Sequence, residues 1–436
     1  MALKDEAVGR LSMKDLGFFL NLLSVLLVRV FGALSAFLVA YFVGNRLGVE
    51  ESGVFYFLLS VVSITSAVTR LGFERTLVRF IGQNNHNSYY VVYLALGCVF
   101  PFSLSLSLIA IIFSNYVAVN LFSWGDLAQS LRLIGFGVFG LSVLTLMSNA
   151  LQGLGKPVMS VIILNVFHNI LFIVLLVLCD LYSAEGVSSA YAFSVVTTSL
   201  FGYFLFLFYR PSASGADHLT RADVFSSSMP LWWVVIMSQF IQWSGQLVSG
   251  FLLNAEAVGL LAVSQRVALL ISFVLIAINL LVSPKFSNLY HLGRKRELEK
   301  LVSMASFFSW CFGLLFVFIM CVFAKDILAL FGSGFEEGVA FLYILAFGQL
   351  VSVMCGSVGF LLTMTGYEKE MKKIAIRSGI VSIIAAVAMT SWFGATGAAI
   401  SISFSLIFQN IYAVTSVRRL LGINTLYLFY WRLKID

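Results

Sequence analysis

A succession of long apolar runs constrains this chain more than any other feature of its sequence. An α-helix needs about 20 predominantly apolar residues to cross a lipid bilayer. The runs are nearly continuous and rich in Leu and Phe, so they lack the alternation expected of membrane β-strands. We predict twelve membrane-spanning helices: Leu16–Gly44, Gly53–Leu71, Tyr89–Phe113, Leu131–Gln152, Val158–Cys179, Val187–Tyr209, Met229–Leu253, Gly259–Ser283, Ser303–Phe323, Val339–Thr365, Ile374–Phe393 and Ala395–Val417.

The composition indicates the same class of protein. Only 11% of the 436 residues are charged and 60% are hydrophobic, whereas soluble domains carry about 25% charged residues. This balance excludes a soluble enzyme, a disordered scaffold and a secreted disulfide-stapled domain. The five cysteines lie in or beside apolar runs and form no CxxC pair, so we expect small buried side chains rather than a zinc or redox site. The predicted fold is an all-α polytopic membrane protein.

Basic residues are distributed unevenly between the loops. Of the 27 Lys and Arg, 22 lie in the N-terminal segment, in every second loop and in the C-terminal tail: Lys4, Arg10, Lys14; Arg70, Arg75, Arg79; Lys156; Arg210, Arg221; Lys285, Arg294, Lys295, Arg296, Lys300; Lys369, Lys372, Lys373, Arg377; Arg418, Arg419, Arg432 and Lys434. The intervening loops hold Arg46, Arg132 and Lys325. Basic residues concentrate in cytoplasmic loops, so we predict that both termini are cytoplasmic, as an even number of spans also requires.

The same distribution decides how the net charge of +7 is interpreted. The basic residues lie at loop ends rather than on a compact domain, so they indicate contact with anionic lipid headgroups and not with nucleic acid. The first span follows a charged segment and is too long for the core of a signal peptide, so we expect it to remain in the mature chain.

Glycine spacing indicates an internal repeat. Three pairs of glycines recur at equivalent places in the two halves of the sequence, at offsets of 211 or 206 residues: Gly155 with Gly366, Gly186 with Gly397, and Gly53 with Gly259. Six spans per half give both halves the same orientation, as in transporters whose parallel repeats hold the substrate site between them. We predict an N-lobe (1–210, spans one to six), a C-lobe (211–436, spans seven to twelve) and a central cavity between the lobes.

Two arginines fall within predicted spans, whereas all 20 acidic residues map to loops or termini. Arg29 lies near the middle of span one, and Arg266 lies about 10 Å below the outer end of span eight. A cation within the membrane is costly and marks a functional site facing a cavity. With no carboxylate in the spans, both arginines are predicted to attract an anionic group of a substrate. The alternative is that they extend to the membrane surface, which is easier for Arg266.

Three further helix faces carry small or polar residues. On span seven, Gln239, Gln242, Trp243 and Gln246 form one stripe, and amides beside an indole ring suit the binding of sugars. On span two, Ser60, Ser63, Ala67 and Arg70 form a similar stripe, and on span one Gly32, Ala33, Ala36 and Ala40 share the face of Arg29. We interpret Arg70 and Ser63 with the span-seven stripe as substrate-binding candidates. Contacts between helices through small or polar residues are the alternative for the stripes of spans one and seven.

No catalytic or cofactor motif is visible. The sequence contains no DxD, P-loop, GxSxG or HExxH pattern, and its four His are scattered. Polar groups in spans four and five, among them Asn149, Asn165, His168 and Asn169, are predicted to bond between helices. We expect no enzyme activity, no metal and no cofactor.

Several stretches resemble a known family: VGNRLGVEESGVFYFLLSVVSITSAVTRLGFERTLVRFIG, NALQGLGKP, AEAVGLLAVSQRV and SPKFSNLYHLGRKRELEKL. They are similar to the polysaccharide-transporter branch of the multidrug/oligosaccharidyl-lipid/polysaccharide (MOP) superfamily, typified by bacterial O-antigen flippases. The resemblance covers nearly the whole chain. It implies two six-helix lobes around a cavity lined by helices one, two, seven and eight, with cavity arginines at Arg29 and Arg266.

The resemblance also implies a function and partners. The expected substrate is a polyprenyl-pyrophosphate-linked oligosaccharide, moved by alternating access from the cytoplasmic to the outer leaflet of the bacterial inner membrane for lipopolysaccharide or related surface glycan synthesis. Membrane lipids and the downstream glycan polymerase machinery are the other expected partners. Two alternatives stay open at this point. A drug or small-molecule antiporter would need a mid-span carboxylate, and a membrane glycosyltransferase or polymerase would need a catalytic loop longer than any predicted here.

Overall fold

The computed structural model describes residues 13–83, 88–122, 124, 127–210 and 220–425. Within these ranges the regular structure is helical and contains no strand. Four of the 22 basic residues that predict the membrane orientation lie outside the described residues: Lys4, Arg10, Arg432 and Lys434. We call residues 1–210 the N-half and residues 211–436 the C-half.

The N-half contains nine α-helices in the described ranges: α1 (Met13–Thr69), α2 (Phe73–Gln83), α3 (Ser88–Ile112), α4 (Ser114–Val117), α5 (Leu127–Ile134), α6 (Phe136–Gly153), α7 (Pro157–Val161), α8 (His168–Leu178) and α9 (Ala184–Tyr209). Two π-helical segments are inserted among them, Ala118–Phe122 after α4 and Ile162–Phe167 between α7 and α8. The second segment lies in the first half of predicted span five.

The C-half contains eight α-helices in the described ranges: α10 (Arg221–Leu252), α11 (Ala255–Leu269), α12 (Ser272–His291), α13 (Lys295–Val322), α14 (Ala324–Ala329), α15 (Val339–Cys355), α16 (Val358–Met364) and α17 (Glu368–Leu421). A short 3-10 helix, Phe335–Gly338, precedes α15. The eighth predicted span is therefore not one continuous run over Gly259–Ser283. It consists of α11 and α12, which are separated at Leu270 and Ile271.

The helix count agrees with the predicted membrane fold. Nine helical segments of the described chain are long and apolar enough to cross a membrane. Two of them are bent at a glycine, at Gly48 in α1 and at Gly394 in α17, where φ is 71° and 59°. A positive φ is easily adopted only by glycine. Each bent helix provides two crossings, and α11 with α12 provides one more, so the described helices accommodate the twelve predicted crossings.

The ends of the membrane-crossing helices define two sides of the molecule. The basic side carries the turns at Gly72, Gly155, Gly293 and Gly366, and the far side carries the bends at Gly48 and Gly394. Polar caps begin several helices. On the far side, Asn254 accepts a hydrogen bond from the amide of Ala257 at 3.0 Å. Arg46, predicted in a far-side loop, instead lies on α1, where its side chain is 3.5 Å from that of Asp180.

Helix α2 was not predicted, because its residues were interpreted as a basic loop. The apolar side of α2 is buried against α6, and Cβ of Ile81 would lie 2.9 Å from a Cβ added to Gly153. Its other side exposes Arg75 and Arg79. An amphipathic helix of this kind is typical of the membrane interface, where the prediction placed these charges.

The buried apolar residues form two clusters. The larger cluster joins the N-half to the far-side part of the C-half, including α11, and to the start of α10 at Val224. The smaller cluster contains only C-half residues near the basic side, among them Phe286 of α12, Val302 of α13 and Val417 of α17. The two halves therefore share one hydrophobic core on the far side, whereas the basic-side end of the C-half has a core of its own.

Candidate functional site

The two halves meet on the far side through their backbones. Gly53, in the part of α1 after its bend, packs against α11 so closely that an added Cβ would lie 1.8 Å from the carbonyl oxygen of Ala255. A Cβ on Gly259 of α11 would lie 2.2 Å from the carbonyl oxygen of Val49. Neither position has room for a side chain. These are two glycines that the repeat analysis paired, so repeat-equivalent helices face each other across the interface.

Aromatic side chains continue this far-side contact onto the N-half segment that follows α4. The ring centroids of Phe57 and Phe122 are 4.9 Å apart, and those of Phe57 and Trp124 are 5.4 Å apart. Phe251 of α10 lies 4.7 Å from Phe122. A Cβ on Gly250 would lie 2.2 Å from the ring of Phe57. The aromatic cluster therefore packs α1, α10 and the segment after α4 closely against one another.

The C-half contributes a matching contact. Phe331, which follows α14, packs its ring against Phe37 with centroids 5.2 Å apart. Its carbonyl oxygen would lie 2.5 Å from a Cβ on Gly44. The side-chain amide of Asn45 donates a hydrogen bond to the carbonyl of Leu330 at 2.6 Å. Both far-side loops thus pack onto the opposite half, and the far side of the interface is closed.

The two halves are also in contact on the basic side, along one edge of the interface. The indole N–H of Trp232 in α10 donates a hydrogen bond to the carbonyl of Val68 at 2.9 Å. A Cβ on Gly72 would lie 2.3 Å from the carbonyl oxygen of Ser228. The rings of Phe73 and Phe225 are 5.5 Å apart. The two halves are therefore in contact both on the far side and along this basic-side edge.

Arg266 extends from the C-half to the aromatic residues of the N-half. It lies in the last turn of α11, and its guanidinium carbon is 3.9 Å from the ring centroid of Tyr56, a cation–π distance. One of its N–H groups donates to the carbonyl of Ala262 at 3.1 Å. In the described part of the chain it forms no ion pair with a carboxylate. The side chain is not extended to the far surface but held across the interface.

The aromatic group beneath Arg266 is buried and closely packed. Tyr56 is fully buried, and its neighbour Phe55 packs against Phe172 and Tyr191, with ring centroids 5.8 and 6.0 Å apart. The hydroxyl of Tyr56 has no hydrogen-bond partner among the described atoms. Tyr56 shares its helix face with Ser60 and Ser63, four and seven residues further on. Arg266 and the polar stripe of span two are therefore on the same side of α1.

Arg29 lies on the exposed part of α1 that precedes the far-side contact between the two halves. Ala36 and Ala40 follow it on the same helix face, since residues seven and eleven apart are nearly aligned at about 3.6 residues per turn. Ala36 is exposed, whereas Ala40 is fully buried in the core shared by both halves. The opposite face of α1 is exposed and apolar: Leu27, Phe31, Leu34 and Leu38. Arg29 thus lies on the face of α1 opposite this lipid-type surface.

Close helix packing accounts for the neighbouring Gly32. A Cβ there would lie 2.9 Å from Cβ of Asn165, in the π-helical segment of span five. The hydroxyl of Ser35 is 2.9 Å from the carbonyl oxygen of Asn165 and accepts a hydrogen bond from the amide of Asn169 at 3.0 Å. The predicted small-residue face is therefore divided. Gly32 packs against span five, while Ala36 stays exposed beside Arg29.

The polar stripe of span seven is divided in the same way. Gln246 is only 1% exposed, and its amide donates to the side chain of Gln265 at 2.8 Å. Gln265 donates in turn to the backbone carbonyl of Gln242 at 3.1 Å. The side chain of Gln242 is exposed, and those of Gln239 and Trp243 are half-buried. In this conformation Gln246 connects α10 to α11, which is the alternative interpretation, and the other three remain accessible candidates.

Arg70 and Ser63 are not accessible in this conformation. Arg70 is 5% exposed; its Nε lies 2.5 Å from a carboxylate oxygen of Glu74, and another N–H group donates to the hydroxyl of Ser66 at 2.6 Å. Ser63 is 8% exposed. Arg70 therefore has its own counter-charge at the turn into α2. Both residues are buried in this conformation, and their predicted role in substrate binding stays a prediction.

Sequence reasoning missed part of this arrangement. Tyr56 is not singled out in the sequence analysis, and Gln265 is not placed beside Gln246. A signal existed for Gln265, because it precedes Arg266 and lies on a span that the repeat places opposite span two. In the described residues, no group of three His, Cys, Asp or Glu side chains is close enough to hold a metal ion.

The fold and this interface define the class: the chain is a multi-pass membrane protein with the fold of MOP-superfamily transporters. Lipid II flippase MurJ in an inward closed conformation matches with a TM-score of 0.73 at 14% identity, covering 90% of this chain and 87% of that chain. An inward-facing multidrug resistance MATE family transporter matches with a TM-score of 0.68 at 15% identity, covering 88% and 94%. A MOP transporter from Pyrococcus furiosus gives a TM-score of 0.62 at 15% identity, covering 92% and 95%.

The family follows from the sequence. The model of the polysaccharide biosynthesis protein family matches residues 18–290, more than half of the chain. The chain therefore belongs to the polysaccharide biosynthesis protein family. A search of the curated proteins finds no match. The resemblance to the polysaccharide branch of the MOP superfamily, predicted from sequence motifs, is confirmed.

Proposed function

We propose that this protein is a flippase that moves a polyprenyl-pyrophosphate-linked oligosaccharide, such as an O-antigen repeat unit, from the cytoplasmic to the outer leaflet of the bacterial inner membrane. The observation that carries the proposal is that Arg266, held against Tyr56 of the other half, and Arg29, exposed on the first span, form no ion pair with a carboxylate in the described residues. Membership of a polysaccharide biosynthesis family supports a glycan as cargo.

The orientation in this proposal rests on charge. The basic side is assigned to the cytoplasm, because loops rich in Lys and Arg stay there. The far side then faces the periplasm, and the described conformation is closed toward the periplasm by the Gly53–Gly259 contact and the aromatic clusters. A substrate would enter from the cytoplasmic side of the interface.

The arginines are assigned to the phosphates. Guanidinium groups bind phosphate oxygens through paired N–H donors. Arg29, at mid-depth and exposed on the first span, would receive the pyrophosphate first. Arg266, nearer the far side, would receive it next, exchanging part of its contact with Tyr56 for the phosphate.

The exposed part of the span-seven stripe is assigned to the sugars. Gln242 and Gln239 offer amide donors and acceptors for hydroxyl groups, and Trp243 offers an aromatic face for a sugar ring. Gln246, Arg70 and Ser63 are assigned to keeping the helices that border the path in place. Release to the outer leaflet requires that the far-side glycine contact separate, which makes alternating access the proposed mechanism.

The membrane potential can supply the direction. A pyrophosphate carries about two negative charges, and each charge moved outward across 100 mV gains about 2.3 kcal/mol, so two gain roughly 4–5 kcal/mol. Transport by this route requires no proton-carrying carboxylate within a span. No bond is made or broken, so the proposed activity is not enzymatic.

Glycan location in cells tests the proposal. A deletion strain should accumulate one lipid-linked oligosaccharide on the cytoplasmic face of the inner membrane, and the wild-type gene should restore its export. Purified protein is placed in liposomes with its cytoplasmic side facing the lumen. It should move the accumulated lipid from the inner to the outer leaflet when the lumen is held at a negative potential. An unchanged lipid-linked glycan pool in the deletion strain would contradict the proposal. Export of small cationic compounds driven by a proton gradient would favour the antiporter alternative.

A further inference from the structure

A groove at the basic-side ends of α12 and α13 lies apart from the inter-half residues described above. It encloses about 580 Å³. Its polar lining consists of Lys285, Asn288, Arg294, Glu297 and Lys300, and its apolar lining consists of Leu289, Leu292, Leu301 and Met304. The groove therefore combines a charged mouth with apolar walls.

The groove carries a net positive charge. Arg294 and Glu297 form an ion pair with a nitrogen–oxygen distance of 2.5 Å, so their charges compensate each other. Lys285 and Lys300 are exposed and form no ion pair within the described chain. Two ammonium groups and the amide of Asn288 around one mouth are complementary to a phosphate group.

The apolar wall continues along the membrane-facing side of α13. Met304, Phe308 and Leu315 follow one another on a single helix face at spacings of four and seven residues. They are 47%, 49% and 51% exposed. A ligand whose phosphate lies at the groove mouth would thus find an exposed hydrocarbon surface leading toward the membrane centre. A soluble phosphate or nucleotide would leave that surface uncovered.

We propose that this groove binds one anionic phospholipid of the basic-side leaflet. Its phosphate lies between Lys285 and Lys300, and one acyl chain lies along Met304, Phe308 and Leu315. Basic pockets between helix ends at the cytoplasmic surface suit anionic headgroups. The site lies on the smaller hydrophobic cluster, whose members include Phe286 and Val302 of the same two helices. A bound lipid would therefore hold α12 to α13 at the end of the C-half.

Native mass spectrometry of the full-length protein tests this site. Dioleoyl phosphatidylglycerol is added to detergent-solubilised protein, and the apparent dissociation constant of the first bound lipid is measured. Dioleoyl phosphatidylcholine serves as a zwitterionic lipid with the same chains, and inorganic phosphate as a headgroup without chains. We expect tight binding of the anionic lipid, and binding at least tenfold weaker for both other probes.

The matched variants remove equal charge inside and outside the groove. Lys285→Gln with Lys300→Gln should weaken phosphatidylglycerol binding about thirtyfold, which corresponds to about 1 kcal/mol for each lysine. Lys369→Gln with Lys372→Gln, on the same side but outside the groove, should leave the first binding event unchanged. Equal binding by wild type and the groove variant would overturn the site. Equal affinity for phosphatidylcholine or phosphate, or displacement of phosphatidylglycerol by an equimolar amount of a polyprenyl pyrophosphate, would overturn the assigned ligand.

Discussion

Gly53 and Gly259 lie face to face across the two halves, and a Cβ on Gly53 would be only 3.0 Å from the backbone nitrogen of Gly259. The helices that carry them hold equivalent places in the internal repeat. Close contact of backbones through small residues is how helices associate most tightly within a membrane. The periplasmic closure proposed for this conformation therefore depends on two positions that tolerate no side chain.

Substitution of either glycine should open this contact. Gly53→Ala places its Cβ 1.8 Å from the carbonyl oxygen of Ala255, so the helices must separate. We expect a single cysteine at position 57, in a background without the native cysteines, to react several times faster with a far-side thiol reagent. Gly97→Ala is the matched control, because a Cβ there meets no atom within 4 Å. An unchanged rate in Gly53→Ala would show that the contact is not the barrier.

Arg29 should be required for transport. Its side chain is exposed on the face of α1 opposite the apolar residues, and an unpaired phosphate at mid-membrane costs several kcal/mol. We expect Arg29→Ala to abolish lipid-linked glycan export at normal protein levels, and Arg29→Lys to retain part of it because the charge stays but the paired N–H donors do not. Arg75→Ala removes an exposed arginine on α2 and should transport normally. Full export by well-expressed Arg29→Ala would rule out the electrostatic role.

The contact between Arg266 and Tyr56 should depend on the ring and not on the hydroxyl. The hydroxyl has no partner in the described structure, and a cation–π contact contributes about 0.5–2 kcal/mol. We expect Arg266→Ala to impair export and Tyr56→Phe to preserve it. Tyr56→Leu should reduce the export rate roughly two- to thirtyfold, the range that corresponds to this energy. Equal loss in the Phe and Leu variants would assign the effect to the hydroxyl instead.

Accessibility along span seven should follow the observed division of its stripe. Single cysteines at positions 242 and 243 should react with a water-soluble thiol reagent added from the basic side. A cysteine at position 246 should be protected, because Gln246 is buried against Gln265. Positions 240 and 241 provide controls beside the stripe and should react less than 242. Uniform protection of all these positions would assign the stripe to helix packing alone.

Membrane orientation can be measured independently of function. A reporter fused after Gly186 should be active in the periplasm, and one fused after Gly155 should be active in the cytoplasm, since these residues lie on the far and basic sides. The same measurement at Gly215 reports the loop between the halves, which lies outside the described residues. The reverse pattern would invalidate the assignment of the basic side to the cytoplasm.

More of the fold than of the candidate site could be predicted from the sequence. Apolar runs and glycine bends depend on local chemistry, which is why the boundary between spans eleven and twelve was expected beside Gly394 and is found there. Helix α2 was missed because its burial against Gly153 is a tertiary contact. The division of the span-seven stripe was equally hidden, since periodicity places Gln242 and Gln246 on one face but cannot show that Gln265 occupies part of it.

The division of span eight between two hydrophobic clusters has a consequence for how stability is measured. Ile271, after α11, belongs to the cluster shared by the halves, and Phe286 of α12 belongs to the cluster of the C-half alone. Units with separate cores can melt separately, so a single transition midpoint does not describe such a chain. Trp310 lies on α13, five residues after Ala305 of the smaller cluster, and Trp232 lies at the α1–α10 contact. With the other tryptophans replaced, we expect denaturation followed at Trp310 and at Trp232 to give two different transition midpoints in one polypeptide.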